Sequence, residues 1–195
     1  MTPSAFTIAS PEHSQIALEA GVRFFQFTGM NPFIARCTRD EVHEMKLKHW
    51  LNFDGPTWFF DADWWALKNL DLPEIKSGEV IAPRCISETV RGRCTKDKVN
   101  YDLAFCSCLV GMDMSSGLMR RVVEEALRLQ KTEYGDRPAG RDEQFLNTAA
   151  QRLGAKINLI GGPGHHYNWC SNVARNWSSV SCIHAARQKE KLEWL

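Results

Sequence analysis

The run TWFFD, Thr57–Asp61, is apolar at each position between its first and last residues. Strict alternation marks a strand with one wet face, whereas a short run apolar on both faces marks a strand at the centre of a sheet with helices on both sides. The chain is therefore expected to build layers around this segment. Its end is unusual: Asp61 and Asp63 close the run, and Trp64 and Trp65 follow directly.

The surrounding pattern supplies the layers. AFTIAS, residues 5–10, reads as a buried strand ending in a turn at Ser10–Pro11. Residues 12–20 carry helical spacing that stops at Gly21, and VRFFQF, residues 22–27, reads as another strand. Thr38 and Glu41 form a capping box for a helix through about Asn52, with Val42, Met45 and His49 on one face. After the turn DGP and the central run, EVIAP (79–83) and YDLAFCSCLVG (101–111) read as strands. Leu118, Val122, Ala126 and Leu129 give a helix its apolar stripe, and a second helix spans roughly Asp142–Leu153 with Gly154 as its C-cap. KINLI and VSCIH are the last strands, flanking a glycine-rich polar loop at 161–179. This alternation predicts an α/β/α sandwich with a mostly parallel sheet, in one domain over residues 1–195. Sites on such sheets gather at the carboxyl ends of strands, where Asp61 falls.

Composition narrows the function classes. With 24 Lys and Arg against 23 Asp and Glu, the formal net charge of +1 gives no field that would select nucleic acid. No stretch approaches the roughly 18 apolar residues of a membrane span, and the N-terminus lacks a basic region followed by an apolar core. A cytoplasmic protein without a membrane span is expected. The 7 cysteines show no repeated CxxC spacing, which suits reduced, buried thiols in a reducing compartment.

Asp61 and Asp63 can converge on one side if the strand continues through them. Two buried carboxylates repel, and a hard divalent cation neutralises such a pair well. The plain alternative is a strand end with one aspartate capping the turn and the other solvated. Trp64 and Trp65, by residue type, are core or lid aromatics ahead of ligand platforms.

The longer stretch MKLKHWLNFDGPTWFFDADWWAL, Met45–Leu67, resembles glycogenin and related galactosyltransferase-type, sugar-nucleotide glycosyltransferases of the GT-A fold. There a Lys-Leu helix leads into a strand ending Asp-Ala-Asp. AFTIAS resembles the family's first strand, DEQFLN (142–147) its Asp-Gln-x-x-Leu-Asn motif, and VSCIHAARQKEKLEWL its closing strand. The small size is also similar to that of the compact glycosyltransferases of large algal viruses. The resemblance implies a metal-dependent enzyme that uses a UDP-sugar donor and a saccharide acceptor, with retention of configuration. The nucleotide-binding part would occupy about residues 1–75 and the acceptor-side part about 76–195.

Residue by residue, the resemblance implies that Asp61, Asp63 and His184 hold Mn²⁺ or Mg²⁺, the imidazole favouring Mn²⁺. It places Ile8, Ala9, Lys46 and Ala62 against the sugar nucleotide, and Asp142 and Glu143 at the sugar as catalytic candidates. The pattern departs at three points. Cys106, Ser107 and Cys108 stand where the family has Asn-Ser-Gly, and Glu143 stands where it has glutamine. Glu190 takes the place of a lysine, so Lys189 or Lys191 is left to meet the diphosphate. In an inverting enzyme one carboxylate would be a general base; in a retaining one Glu143 would stabilise an oxocarbenium-like centre or act as nucleophile. Acidic residues at 142 and 143 also suit the positive end of a helix dipole without any catalytic role. His165, His166 and Cys170 lack regular zinc spacing and read as part of an acceptor-side loop. Two other classes share some of these features. Nucleotidyl transfer needs a glycine-rich basic phosphate loop, which TIASPEHSQ does not supply, and an inactive nucleotide-sugar-binding module would bind without transfer.

Overall fold

In the computed structural model, which describes residues 2–66, 71–85, 88–135, 142–160 and 182–184, the apolar run becomes β3 (Pro56–Phe60). It lies inside a six-stranded sheet with β1 (Ser4–Ala9), β2 (Pro32–Arg36), β5 (Glu79–Pro83), β6 (Leu109–Asp113) and β7 (Lys156–Ile160). The strand order is β2–β1–β3–β6–β5–β7. All neighbours run parallel except at β6, which is antiparallel to both β3 and β5. β4 (Trp64–Ala66) and β8 (Cys182–His184) form a separate antiparallel pair.

Both faces of β3 are buried, as its sequence requires. Phe59 packs with Phe6, Leu47 and Trp50 on the side of α2 (Val42–Trp50), α4 (Gly117–Tyr134) and α5 (Asp142–Arg152). Trp58 and Phe60 point the other way, into a cluster with Ala20 and Phe24 of α1 (Ser14–Thr28). Trp64 and Trp65 belong to that second cluster: Trp64 lies 6.0 Å from Phe24 and 6.2 Å from Phe60 between ring centroids. The tryptophans anchor the turn after β3 as core side chains, with Trp65 under the Arg23 guanidinium at 5.1 Å.

Several expectations are corrected. The helix does not stop at Gly21; α1 runs on through VRFFQF to Thr28 and ends at Gly29, whose φ of 73° gives a left-handed cap. Gly21 is a packing glycine. A Cβ there would meet Ile34 Cδ1 at 3.3 Å and Pro32 Cγ at 3.4 Å, so its absence lets α1 lie close on β2, a strand the sequence pattern did not mark. Helix α3 (Glu88–Asp97) was likewise unmarked, since it offers few apolar residues and docks through Val90 and Cys94. YDLAFCSCLVG is not one strand. It contains a 3-10 turn at Tyr101–Leu103, a single bridge from Phe105 to Arg84, and a strand only from Leu109. Side-chain bonds take over there: Asn147 Oδ1 accepts from the Phe105 N–H at 2.8 Å, and its amide nitrogen donates to the Phe105 carbonyl at 2.8 Å. The capping box at Thr38 and Glu41 is present, yet the face α2 buries is Lys46, Leu47 and Trp50, while Val42, Met45 and His49 are half-buried.

From β1 the chain crosses to β2 on one side, then returns to β3 on the other. Pairing of β1 with β2 runs through Ala9–Arg36, whereas its pairing with β3 runs from Ser4–Thr57 to Phe6–Phe59. In open α/β sheets such a reversal is where a ligand crevice forms outside the carboxyl ends of the strands, which here are the ends of β1 and β3.

Candidate functional site at the carboxyl edge of the sheet

Ile8 and Ala9 end β1 at one lip of the crevice, and both are buried. Asp61 stands at the other lip, directly after β3. The strand does not continue to Asp63 as the convergence argument required. Instead Asp61, Ala62 and Asp63 turn, closed by the Trp64 N–H donating to the Asp61 carbonyl at 2.9 Å. The Asp61 N–H donates to the Cys108 carbonyl at 2.9 Å, tying the turn to the start of β6. Asp61 keeps a side-chain exposure of 29%, and Asp63 is half-buried, so both carboxylates sit at a boundary between core and solvent.

Lys46 is the centre of the site. Its side chain is 4% exposed, and Nζ lies 3.1 Å from Asp61 Oδ1, 2.9 Å from Asp142 Oδ2, 2.7 Å from the Ser107 carbonyl and 3.0 Å from Ser107 Oγ. The ammonium also stands 4.1 Å over the Phe59 ring. Its three N–H donors are thus matched by acceptors inside the protein. Burial alone would push the lysine down, but Asp142 and Asp61 outweigh it and hold the ammonium well above the ordinary lysine range. Lys46 is therefore a buried member of the site and not a solvated surface lysine.

Asp142, the first residue of α5, receives two cationic or donor groups: Lys46 on Oδ2 and His43 Nδ1 on Oδ1 at 2.7 Å. Burial would raise its carboxyl, and the Lys46 charge with the His43 bond reverses this, leaving it well below the usual carboxylate range. Next to it, Glu143 accepts from the Ser107 N–H at 2.9 Å through Oε2 and from the Cys85 thiol at 3.3 Å through Oε1. Asn147 Nδ2 donates to the Glu143 carbonyl at 2.8 Å, fixing the first turn of α5 against the Phe105 segment. The Leu-Asn end of DEQFLN is therefore a brace for the acidic pair.

Position by position, the structure brings Asp61, Lys46, Asp142 and Glu143 together around Ser107, with Ala9 and Ala62 on the lips of the crevice. Ser107 contributes through its backbone and hydroxyl to both Lys46 and Glu143. Sequence reasoning missed His43 and Cys85 as members of the site. Their signals were weak: His43 lies three residues before Lys46, hence on the same helix face, and Cys85 lies two residues beyond β5 at the same sheet edge.

For a metal ion, Asp61 and Asp63 offer hard oxygen donors two positions apart, and β4–β8 pairing sets the His184 backbone opposite Trp64, the neighbour of Asp63. Two carboxylates and an imidazole are a donor set that suits a divalent ion. Among the described residues no cluster of three or more His, Cys, Asp or Glu side chains is assembled for one. Lys189, Lys191, His165, His166 and Cys170 lie outside the described residues.

No family model matches the sequence, and no curated protein matches it. Among solved structures the chain is similar to the galactosyltransferase LgtC in complex with donor and acceptor sugar analogues, with a TM-score of 0.64 at 11% identity over 94% of this chain and 86% of that one. An active-site mutant of LgtC, glutamine replaced by glutamate, gives a TM-score of 0.62 at 12% identity over 94% and 86% of the two chains. The bifunctional glycosyltransferase WbbM gives 0.57 at 10% identity over 95% of this chain and 46% of its own. At these identities the likeness is one of fold. The chain has the mixed α/β fold of the GT-A glycosyltransferases.

Proposed function

We propose that the protein is a metal-dependent glycosyltransferase that moves a sugar from a UDP-sugar to a saccharide acceptor with retention of configuration. The observation that carries this reading is the contact chain Asp61–Lys46–Asp142 beside Glu143, built where the strand order reverses in a fold shared with LgtC. A nucleotide belongs in such a crevice, its base against the backbone of Ile8 and Ala9 and its sugar towards α5.

Asp61, Asp63 and His184 would hold Mn²⁺ or Mg²⁺, which supplies Lewis-acid stabilisation to a diphosphate leaving group. The chain's own residues do the rest. Lys46 holds Asp61 and Asp142 at a fixed separation and cancels part of their charge, so the site can take up a dianionic diphosphate. Ala62 presents its backbone at the turn, and Lys189 or Lys191 meets the phosphates. Glu143, tethered at both oxygens, keeps its carboxylate in one orientation beside the anomeric carbon, as nucleophile or as partner of an oxocarbenium-like centre.

A UDP-release screen over UDP-sugars with Mn²⁺ and a chelator control tests the reading. Turnover of one donor that stops on chelation supports it; no UDP release with any donor, in the presence of a broad acceptor panel, rejects it. A product of retained anomeric configuration supports Glu143 in either of these roles, and an inverted product rejects retention and leaves a carboxylate as general base.

A further inference from the structure

The proposed chemistry employs Asp61, Lys46, Asp142 and Glu143 and leaves His43 without a task. Its Nδ1 is 2.7 Å from Asp142 Oδ1, an oxygen of a carboxylate that Lys46 keeps ionised. An anionic oxygen accepts, so Nδ1 carries a proton, and in the neutral ring Nε2 is the acceptor. The side chain is 43% exposed while its partner Asp142 is only 5% exposed. The imidazole thus spans the boundary, one edge in the buried network and the other at the surface. Among the described residues Asp142 is its sole hydrogen-bond partner. Fixed in one tautomer by a buried carboxylate, the neutral ring presents an oriented acceptor at the surface beside Asp142.

We infer that His43 contacts the transferred sugar, its Nε2 accepting a hydrogen bond from one sugar hydroxyl while Asp142 holds the ring in place. The inference rests on the UDP-sugar reading above. The order of contacts selects the sugar. Asp61 stands at the diphosphate end, Lys46 joins it to Asp142, and His43 is the outermost member of that chain. What lies beyond a diphosphate in a nucleotide sugar is the hydroxyl-rich ring. An acceptor built to meet a hydroxyl is left unpaired by a ligand lacking it, which makes the residue a specificity determinant.

The test compares dissociation constants for UDP, UDP-glucose and UDP-galactose with Mn²⁺ in the wild type, His43→Phe and His43→Gln. The expected result is a wild-type preference for one UDP-sugar over UDP that falls about tenfold in His43→Phe, the loss of one hydrogen bond to an oriented partner. His43→Gln, with an amide donor for Asp142 and a carbonyl acceptor, restores most of that preference. A monodeoxy series of the preferred UDP-sugar identifies the hydroxyl. One derivative weakens binding to the wild type, and the same derivative costs nothing further in His43→Phe. A preference over UDP that is equal in His43→Phe and wild type overturns the inference, as does a wild type that binds neither UDP-sugar more tightly than UDP. If His43→Phe does not fold, the wild-type deoxy series and His43→Gln decide: no derivative weakening binding overturns it. A wild type that fails to bind UDP at all is a different failure, because it removes the UDP-sugar reading and this inference with it.

Discussion

Lys46 and Asp142 are each buried, and each is acceptable only because the other is there. Removing one member of such a pair strands a charge, which costs about 3–5 kcal/mol, more than the pair itself contributes over an apolar replacement. Lys46→Met is therefore expected to lower unfolding stability by about that amount in urea melts near neutral pH. The Lys46→Met, Asp142→Asn double variant is expected to recover part of the loss, since the stranded carboxylate is gone. Acid provides an independent check. The folded-state pKa of Asp142 is depressed, so its stabilisation is present above the unfolded value near about 4 and is lost as pH falls below it. Asp142→Asn is expected to show a shallower loss of stability between about pH 5 and pH 2 than the wild type. An acid limb of equal slope in the two proteins would contradict the ion pair.

At the scale of elements, two glycines without left-handed backbone set distances between layers. Gly21 brings α1 onto β2, and Gly111 of β6 faces the indole of Trp58. A Cβ at Gly111 would stand 3.0 Å from Trp58 Cη2 and Cζ3 and 3.1 Å from Ile75 Cδ1. Trp58 is 1% exposed and lies in a filled cluster, so the ring has nowhere to move. Gly111→Ala is expected to cost about 1–3 kcal/mol by overpacking, read as a lower urea midpoint with an unchanged slope. The turn after β3 depends on the same layer. Trp64 is fully buried against Phe24 and Phe60, and its N–H closes the turn that presents Asp61 and Asp63. Trp64→Ala is expected to destabilise by about 3–5 kcal/mol and to misplace both carboxylates, abolishing any protection by UDP and Mn²⁺.

For the whole molecule, ligand binding at the crevice ties α2, α5 and the ends of β1 and β3 together, so it should register as global stability. A ligand at about a hundredfold excess over its Kd adds about 2.7 kcal/mol, and each kcal/mol is worth about 2–4 °C in Tm for a domain of this size. UDP with Mn²⁺ is expected to raise Tm by about 5–11 °C on that basis. Asp61→Ala is expected to remove the rise, and a chelator to remove it in the wild type. No shift at millimolar UDP and Mn²⁺ would count against a nucleotide site here. The antiparallel β6 in an otherwise parallel sheet serves this arrangement, because its amino end lies at the carboxyl edge and delivers Ser107 to Lys46 and Glu143.

What sequence alone determined was local and patterned. The double-sided apolarity of TWFFD demanded a central strand, the Thr38–Glu41 box set the start of α2, and the stripe Leu118–Leu129 set α4, because burial period and capping chemistry act within a few residues. The segments that resemble GT-A glycosyltransferases drew attention to Asp61, Lys46, Asp142 and Glu143 for the same reason, each lying inside a short contiguous stretch. Tertiary structure alone decided the rest. A glycine inside an apolar helix looks like a stop until β2 is seen against it, and α3 carries too little apolar pattern to announce itself. That Lys46 is buried, that Asp142 answers it across 96 residues of chain, and that His43 holds the far oxygen follow from helix placement across the sheet. Charges pair in a core by proximity in space, and proximity of that kind leaves no period in the sequence.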